Sequence, residues 1–250
     1  MTRSISTTYI TSAQYLYHQL KSLWYSGNTY ICSCCERTFR KFLPFGVGGK
    51  PRPNAQCPGC GSLERHRLLW LYLKDKNFFE SRLKILDIAP MKLFQKKCIS
   101  LPNLDYTSAD ISSPLAMVQM DITDIKLPDN QFDCIMCYHV LEHILDDQKA
   151  MHELYRVLKP GGWAILQSPV DFAREKTFED PSITSPQDRL HVFGHEGHVR
   201  IYGRDYKDRL EQAGFTVKLD NYVACLDDAT VKKYGLMKDE NLYFCSKSEF

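Results

Sequence analysis

From Leu83 onward the chain alternates short apolar runs with longer amphipathic ones, and this alternation leaves few folds open. The runs at 83–88, 106–109, 116–120, 132–137 and 163–167 have the length and composition of buried strands. Between the last two lies a helical stretch over 146–158, stopped by Lys159-Pro160-Gly161-Gly162. Further on, 205–213 reads as a helix with Gly214 as its stop, and 215–219 and 242–245 read as two more strands. Seven strands interleaved with helices predict a Rossmann-like α/β fold, a mostly parallel sheet covered by helices on both faces.

The N-terminal part follows a different logic. Five of the ten cysteines fall between Cys32 and Cys60. Cys32 with Cys35, and Cys57 with Cys60, form two C-x-x-C pairs separated by 21 residues, a spacing that suits one tetrahedral zinc ion. Four thiolates fill the coordination sphere, so this zinc is structural. Gly59 and Gly61 let the second turn fold tightly enough to point amides at sulfur. Cys34 is a spare that could replace Cys32 or Cys35, although the C-x-x-C spacing favours the latter two. The intervening "FGVGGKPRPN" is not a phosphate loop, because Pro51 follows Lys50 and Pro44 stands where the first glycine belongs. Pro51 and Pro53 suggest an exposed ribbon loop instead.

A helix is expected over 11–26, with Leu16, Leu20, Leu23 and Trp24 at helical spacing and Gly27 as its stop. Another follows the cysteines, with Ser62 as its cap, Leu69, Leu73 and Trp70 on its apolar side and His66 exposed. The expected organisation is a helical segment at 1–30, a zinc ribbon at 31–62 and an α/β domain at 63–250.

Composition narrows the partners. The net charge of +2 offers nothing to a polyanion, so no nucleic acid is expected. No apolar run reaches the roughly 18 residues of a membrane helix. The first residues lack the apolar core of a signal peptide, which points to a cytoplasmic protein.

In open parallel sheets, ligands bind at the carboxyl ends of the strands. Asp87 lies in the first strand, Asp110 ends the second, Asp121 follows the third, and His139 and Glu142 follow the fourth. An acid ending the second strand can accept hydrogen bonds from both hydroxyls of a ribose, and an acid after the third can take an exocyclic amine of adenine.

Residues 83–219 resemble a class I S-adenosylmethionine-dependent methyltransferase of the type 11 kind. The resemblance is carried by "LKILDIAP", "DYTSADI", "QMDITDIKLPDNQFDCIMCYHVLEHILDD" and "ELYRVLKPGGWAILQSPV". With the cysteine pairs and "GSLERHRLLWLYL", the chain is similar to a bacterial subgroup carrying an N-terminal zinc ribbon. The resemblance implies that Asp110 binds the cofactor's ribose, that Asp121 binds the adenine amine, and that Ile122 packs on the adenine ring. It also implies that His139 lies beside the methionine part. The strand-one loop departs from the family, with Asp87-Ile88-Ala89-Pro90 in place of glycines. Ala89 is small enough for a close approach, but Pro90 has no N–H and a fixed φ.

A nicotinamide-linked oxidoreductase would want G-x-G-x-x-G after the first strand, which is absent. His139-x-x-Glu142-His143 matches an inverted zinc-peptidase motif, but it follows a central strand and shows no clear third ligand downstream. A further alternative is a non-catalytic S-adenosylmethionine-binding scaffold, or a subunit of a complex that docks a protein partner through the zinc ribbon. For an enzyme, the insertion at 170–203 is the expected acceptor lid. It carries Asp171, Arg174, Glu175, Glu179, Asp180, His191, His195, His198, Arg200 and Tyr202, a polar set that favours a hydroxylated small molecule such as a sugar. His195 and His198, with His139, are the expected general bases, because imidazole titrates near neutral pH. No carboxylate set for a catalytic divalent metal stands out.

Overall fold

The computed structural model describes residues 20–46 and 51–249, which fall into two compact units. One runs up to Glu80 and takes in Asn221–Asn241; the other comprises Ser81–Asp220 and the residues from Leu242. The first unit therefore extends past the expected boundary at 62 and recruits a segment from far downstream.

In the first unit, β1 (Ser26–Ile31) pairs antiparallel with β2 (Thr38–Phe39), and β3 (Leu43–Phe45) pairs antiparallel with β4 (Arg52–Gln56). Of the helix expected over 11–26, residues 11–19 lie outside the described residues, and 20–24 are helical. Gly27 is no helix stop: it sits inside β1, where a Cβ would meet Arg40 at 2.8 Å. Part of the expected ribbon loop, 47–50, also lies outside the described residues, while Pro53 belongs to β4.

Helix α1 (Glu64–Asp75) buries Leu68, Leu69, Trp70 and Leu73. Its cap differs from expectation. Leu63 is the N-cap, and its amide donates to His66 Nδ1 at 3.1 Å, so His66 closes the helix start. Arg67, with 0% exposure, donates from Nε to the Tyr234 carbonyl (2.6 Å) and from Nη1 to those of Ala55 (2.9 Å) and Ser62 (3.0 Å). Its Nη2 donates to Gly235 O at 2.7 Å, and its guanidinium lies 4.2 Å from the centre of the Phe42 ring. Burying a guanidinium is tolerable only when its donors are satisfied, and here four carbonyls do so.

The second unit is built on a seven-stranded sheet. Its strands are β5 (Leu83–Ile88), β6 (Leu104–Asp110), β7 (Val118–Gln119), β8 (Phe132–Tyr138), β9 (Leu158–Gln167), β12 (Thr216–Asp220) and β13 (Leu242–Ser246), with β10 and β11 in the insertion described below. They lie in the order β12-β13-β9-β8-β5-β6-β7. β13 runs antiparallel to both of its neighbours, and the other pairings are parallel. All seven expected strands form. Lys159-Pro160-Gly161-Gly162 does not end in a loop: β9 starts at Leu158, and its register against β8 shifts between Phe132 and Cys134.

Helix α2 (Lys92–Ile99) is not evident in the sequence, because it buries only Phe94 and Cys98 among lysines. Helix α3 (Asp147–Val157) buries Ala150, Met151, Leu154 and Val157 in the core with Leu86, Ile135 and Leu166. Chain order reverses across β5, which pairs with β6 on one side and β8 on the other. Among the described residues no helix is long and apolar enough to cross a membrane.

Candidate active site at the strand ends

The crevice beside β5 is where an open parallel sheet exposes backbone to a ligand. Asp87 sits one residue inside the end of β5 and is only 5% exposed. Burial pushes its carboxyl up to about 7, although the Tyr106 hydroxyl donates to Oδ2 at 2.5 Å and pulls it back. Ala89 follows at φ 51°, the left-handed region that favours glycine, with its amide donating to Ala109 O at 2.8 Å. The backbone thus turns as a glycine would, with a methyl group attached.

Asp110, half-buried at the end of β6, accepts at Oδ1 from the amides of Ser112 (2.8 Å) and Ser113 (2.7 Å). Its Oδ2 has no hydrogen-bond partner among the described residues. Asp121 is exposed and accepts at Oδ1 from the amide and hydroxyl of Thr123, each at 2.8 Å. Ile122 is 4% exposed and packs in the core, which leaves almost no surface for a ring. Ile111, directly after Asp110, is 59% exposed and offers that apolar surface instead. An apolar residue following a strand-end acid was the available sequence signal for it.

His139 adopts φ 58° after β8, and its amide donates to Gln167 O at 2.7 Å. Its Nδ1 lies 3.1 Å from Glu142 Oε1, and Ser168 Oγ donates to Glu142 Oε2 at 2.9 Å. Burial is the largest single influence and raises the Glu142 carboxyl, but the His139 contact and smaller backbone and His143 interactions together hold the group below its ordinary range. An ionised carboxylate only accepts, so this contact places a proton on His139 Nδ1 and leaves Nε2 facing away from Glu142.

The insertion at 170–203 is exposed over much of its length but anchored to the domain near its C-terminal end. β10 (Phe178–Glu179) pairs with β11 (Arg200–Ile201), and α4 (Pro186–Phe193) is capped by Ser185 and ended by Gly194. Arg200 is buried and donates to the carbonyls of Leu141, Ile144 and Leu145 and to Glu179. Tyr202 donates to Asp147 Oδ2 at 2.7 Å, as does Arg209 from Nε at 3.1 Å. Arg200 and Tyr202 therefore serve this buried network and do not line an open acceptor pocket.

His195 and His198 fall beside His143, with ring centroids 5.4 Å and 4.7 Å from it. Burial pushes His143 below the ordinary imidazole range and His198 to about 4, so His198 does not titrate near neutrality as its residue type suggested. The structure pairs His139 with Glu142 rather than with His143, so the two histidines of the H-x-x-E-H motif do not converge.

In the first unit, the sulfurs of Cys32, Cys35, Cys57 and Cys60 all lie within 4.8 Å of one another. Cys32 Sγ and Cys60 Sγ are 3.6 Å apart, and Cys35 Sγ and Cys57 Sγ are 3.8 Å apart. A tetrahedron with Zn–S bonds of about 2.3 Å has edges of about 3.8 Å, so the donor set fits zinc. Cys34 stands outside this group. Ser62, expected as a helix cap, instead places its hydroxyl 3.1 Å from Cys32 Sγ and accepts from Cys60 Sγ at 3.2 Å.

A family model described as a methyltransferase domain matches residues 58–166. Cys32, Cys35 and Cys57 lie outside that match. The chain is similar to the ubiquinone/menaquinone biosynthesis C-methyltransferase UbiE of Enterobacter sp. (strain 638), with 47% identity over 45 residues, 18% of each chain. It is also similar to the protein of the same name from Francisella tularensis subsp. novicida (strain U112), with 35% identity over 78 residues, 31% of this chain and 26% of the relative. The similarity thus spans less than a third of the length of these relatives. The solved structure of the [4+2]-cyclase SpnF shares the fold, with a TM-score of 0.52, 14% identity, and coverage of 93% of this chain and 94% of that one.

Proposed function

We propose that this chain is an S-adenosylmethionine-dependent methyltransferase acting on a polar small molecule, such as a hydroxyl of a sugar or related metabolite. The observation that carries the reading is Asp110. Two amides fix one of its oxygens, and the other has no hydrogen-bond partner among the described residues at the end of β6, beside the strand where chain order reverses. The methyltransferase-domain match over 58–166 supports it.

The bound cofactor would supply an electrophilic methyl group on a sulfonium. Asp110 would hold the ribose hydroxyls and Asp121 the adenine amine, with Ile111 offering an apolar face to the base. Asp87 and Ala89 would border the amino-acid portion. His139, oriented by Glu142, is the group best prepared to take a proton from an acceptor hydroxyl. Holding acceptor and donor in line supplies the rest. The four cysteines of the first unit would hold a structural zinc.

Calorimetry with S-adenosylmethionine on Asp110→Ala tests the reading. A loss of roughly 1.5–3 kcal/mol in binding is expected, the scale of hydrogen bonds to a charged group. Unchanged affinity would refute the strand-two assignment. Binding by the parent without turnover on any hydroxylated acceptor would favour a non-catalytic scaffold docked through the zinc ribbon.

A further inference from the structure

We propose that His143, His195 and His198 form a second metal site, distinct from the four cysteines, that binds a divalent transition metal of the zinc class with at least one coordination position open. The inference stands apart from the methyl-transfer reading.

One ligand nitrogen from each of the three rings falls within 4.8 Å of the other two. A tetrahedral ion with metal–nitrogen bonds of about 2.0–2.1 Å needs nitrogens about 3.3 Å apart, within reach of side-chain rotation alone. The rings come from two segments held together by the backbone. His143 ends the short 3-10 turn Leu141–His143, whose Leu141 carbonyl accepts from buried Arg200. His195 and His198 lie on the turn after α4, where the Val199 amide donates to Glu142 O at 3.0 Å. Fixed supports of this kind are what a metal site needs.

Gly197 brings the turn against the first ring: a Cβ there would lie 2.9 Å from His143 Nδ1. His143 Nδ1 is 3.0 Å from the Gly197 carbonyl, which can only accept. His143 therefore carries its proton on Nδ1, which leaves Nε2 as its ligand atom. This is the arrangement by which a backbone carbonyl fixes the tautomer of a ligating histidine. His198 is half-buried, and its ring nitrogens have no hydrogen-bond partner among the described residues. His195 is exposed and uses Nδ1 to accept the Gly197 amide at 3.0 Å, a contact it would exchange for the ion. With three nitrogens and no carboxylate in the group, zinc, cobalt or nickel is favoured over magnesium or calcium. Three protein ligands leave a position for water or for an oxygen of a bound molecule.

Titration of the full-length protein with Co²⁺, followed by calorimetry and absorption, tests this. The expected result is one equivalent beyond the cysteine-bound metal, without a thiolate charge-transfer band. H143A and H198A should each weaken it at least tenfold, and so should H195A, whose exposed side chain can be removed without disturbing the fold. The melting curve of each variant checks that it is folded. Absence of a second equivalent, or parental affinity in the folded H195A variant, would overturn the proposal.

Discussion

Glu142, 2% exposed, holds His139 through a 3.1 Å contact between Oε1 and Nδ1 while Ser168 occupies its other oxygen. The pair lies at the end of β8, where the site reading needs an oriented base. His139→Ala should lower turnover by roughly 10²–10⁴-fold. Glu142→Gln keeps the volume but releases the tautomer, so turnover should fall at least about tenfold with cofactor affinity unchanged. The Glu142 carboxyl is held below its ordinary range, so its contribution to stability is present above the unfolded value and is lost as pH falls through the folded one. Denaturation midpoints below about pH 5 should therefore depend less on pH in the Gln variant than in the parent.

Asp87 has the opposite sign. Burial raises its carboxyl to about 7, so the associated stability is complete below the ordinary carboxyl range and declines as pH rises toward 7. The decline amounts to as much as about 4 kcal/mol. Asp87→Asn should flatten this limb in chemical denaturation between about pH 4 and 8. A limb of equal size in the variant would show that another group causes it.

Arg67 joins three separated stretches of the first unit through four carbonyls. Arg67→Leu should cost roughly 3–5 kcal/mol, because the carbonyls lose their donors. Arg67→Lys should not restore it, since one ammonium cannot span the same fork. Thermal denaturation of the two variants measures this.

Ala89 holds a left-handed φ that costs an L-residue of order 1 kcal/mol. A89G should raise the denaturation midpoint by the equivalent of about 0.5 kcal/mol at most, after the greater flexibility of unfolded glycine is subtracted. A lower midpoint would mean that the methyl group's packing outweighs the strain.

The sulfur spacing predicts tightly held zinc on Cys32, Cys35, Cys57 and Cys60. Cys57→Ser or Cys60→Ser should release it and melt the first unit while the sheet retains its circular dichroism, because metal binding supplies that unit's folding energy. Elemental analysis of protein purified without chelator, showing no zinc, would rule this out.

What the sequence determined by itself was local. Hydrophobic runs of strand length between helical periods specified seven strands, since burial on both faces requires continuous apolar residues. Two C-x-x-C pairs specified the sulfur cluster, because a short turn brings each pair together whatever surrounds it. The strand-end acids were legible for the same reason: each belongs to the strand that carries it. Tertiary structure alone decided which groups from distant segments meet. His143 gains His195 and His198 from across the insertion, Arg67 finds Tyr234 and Gly235, and Ser168 reaches Glu142. It also buried Ile122 while leaving Ile111 open, and it turned Arg200 and Tyr202 inward. Such contacts depend on the register and packing of whole elements, and the periodicity of a single stretch carries no record of what lies opposite it.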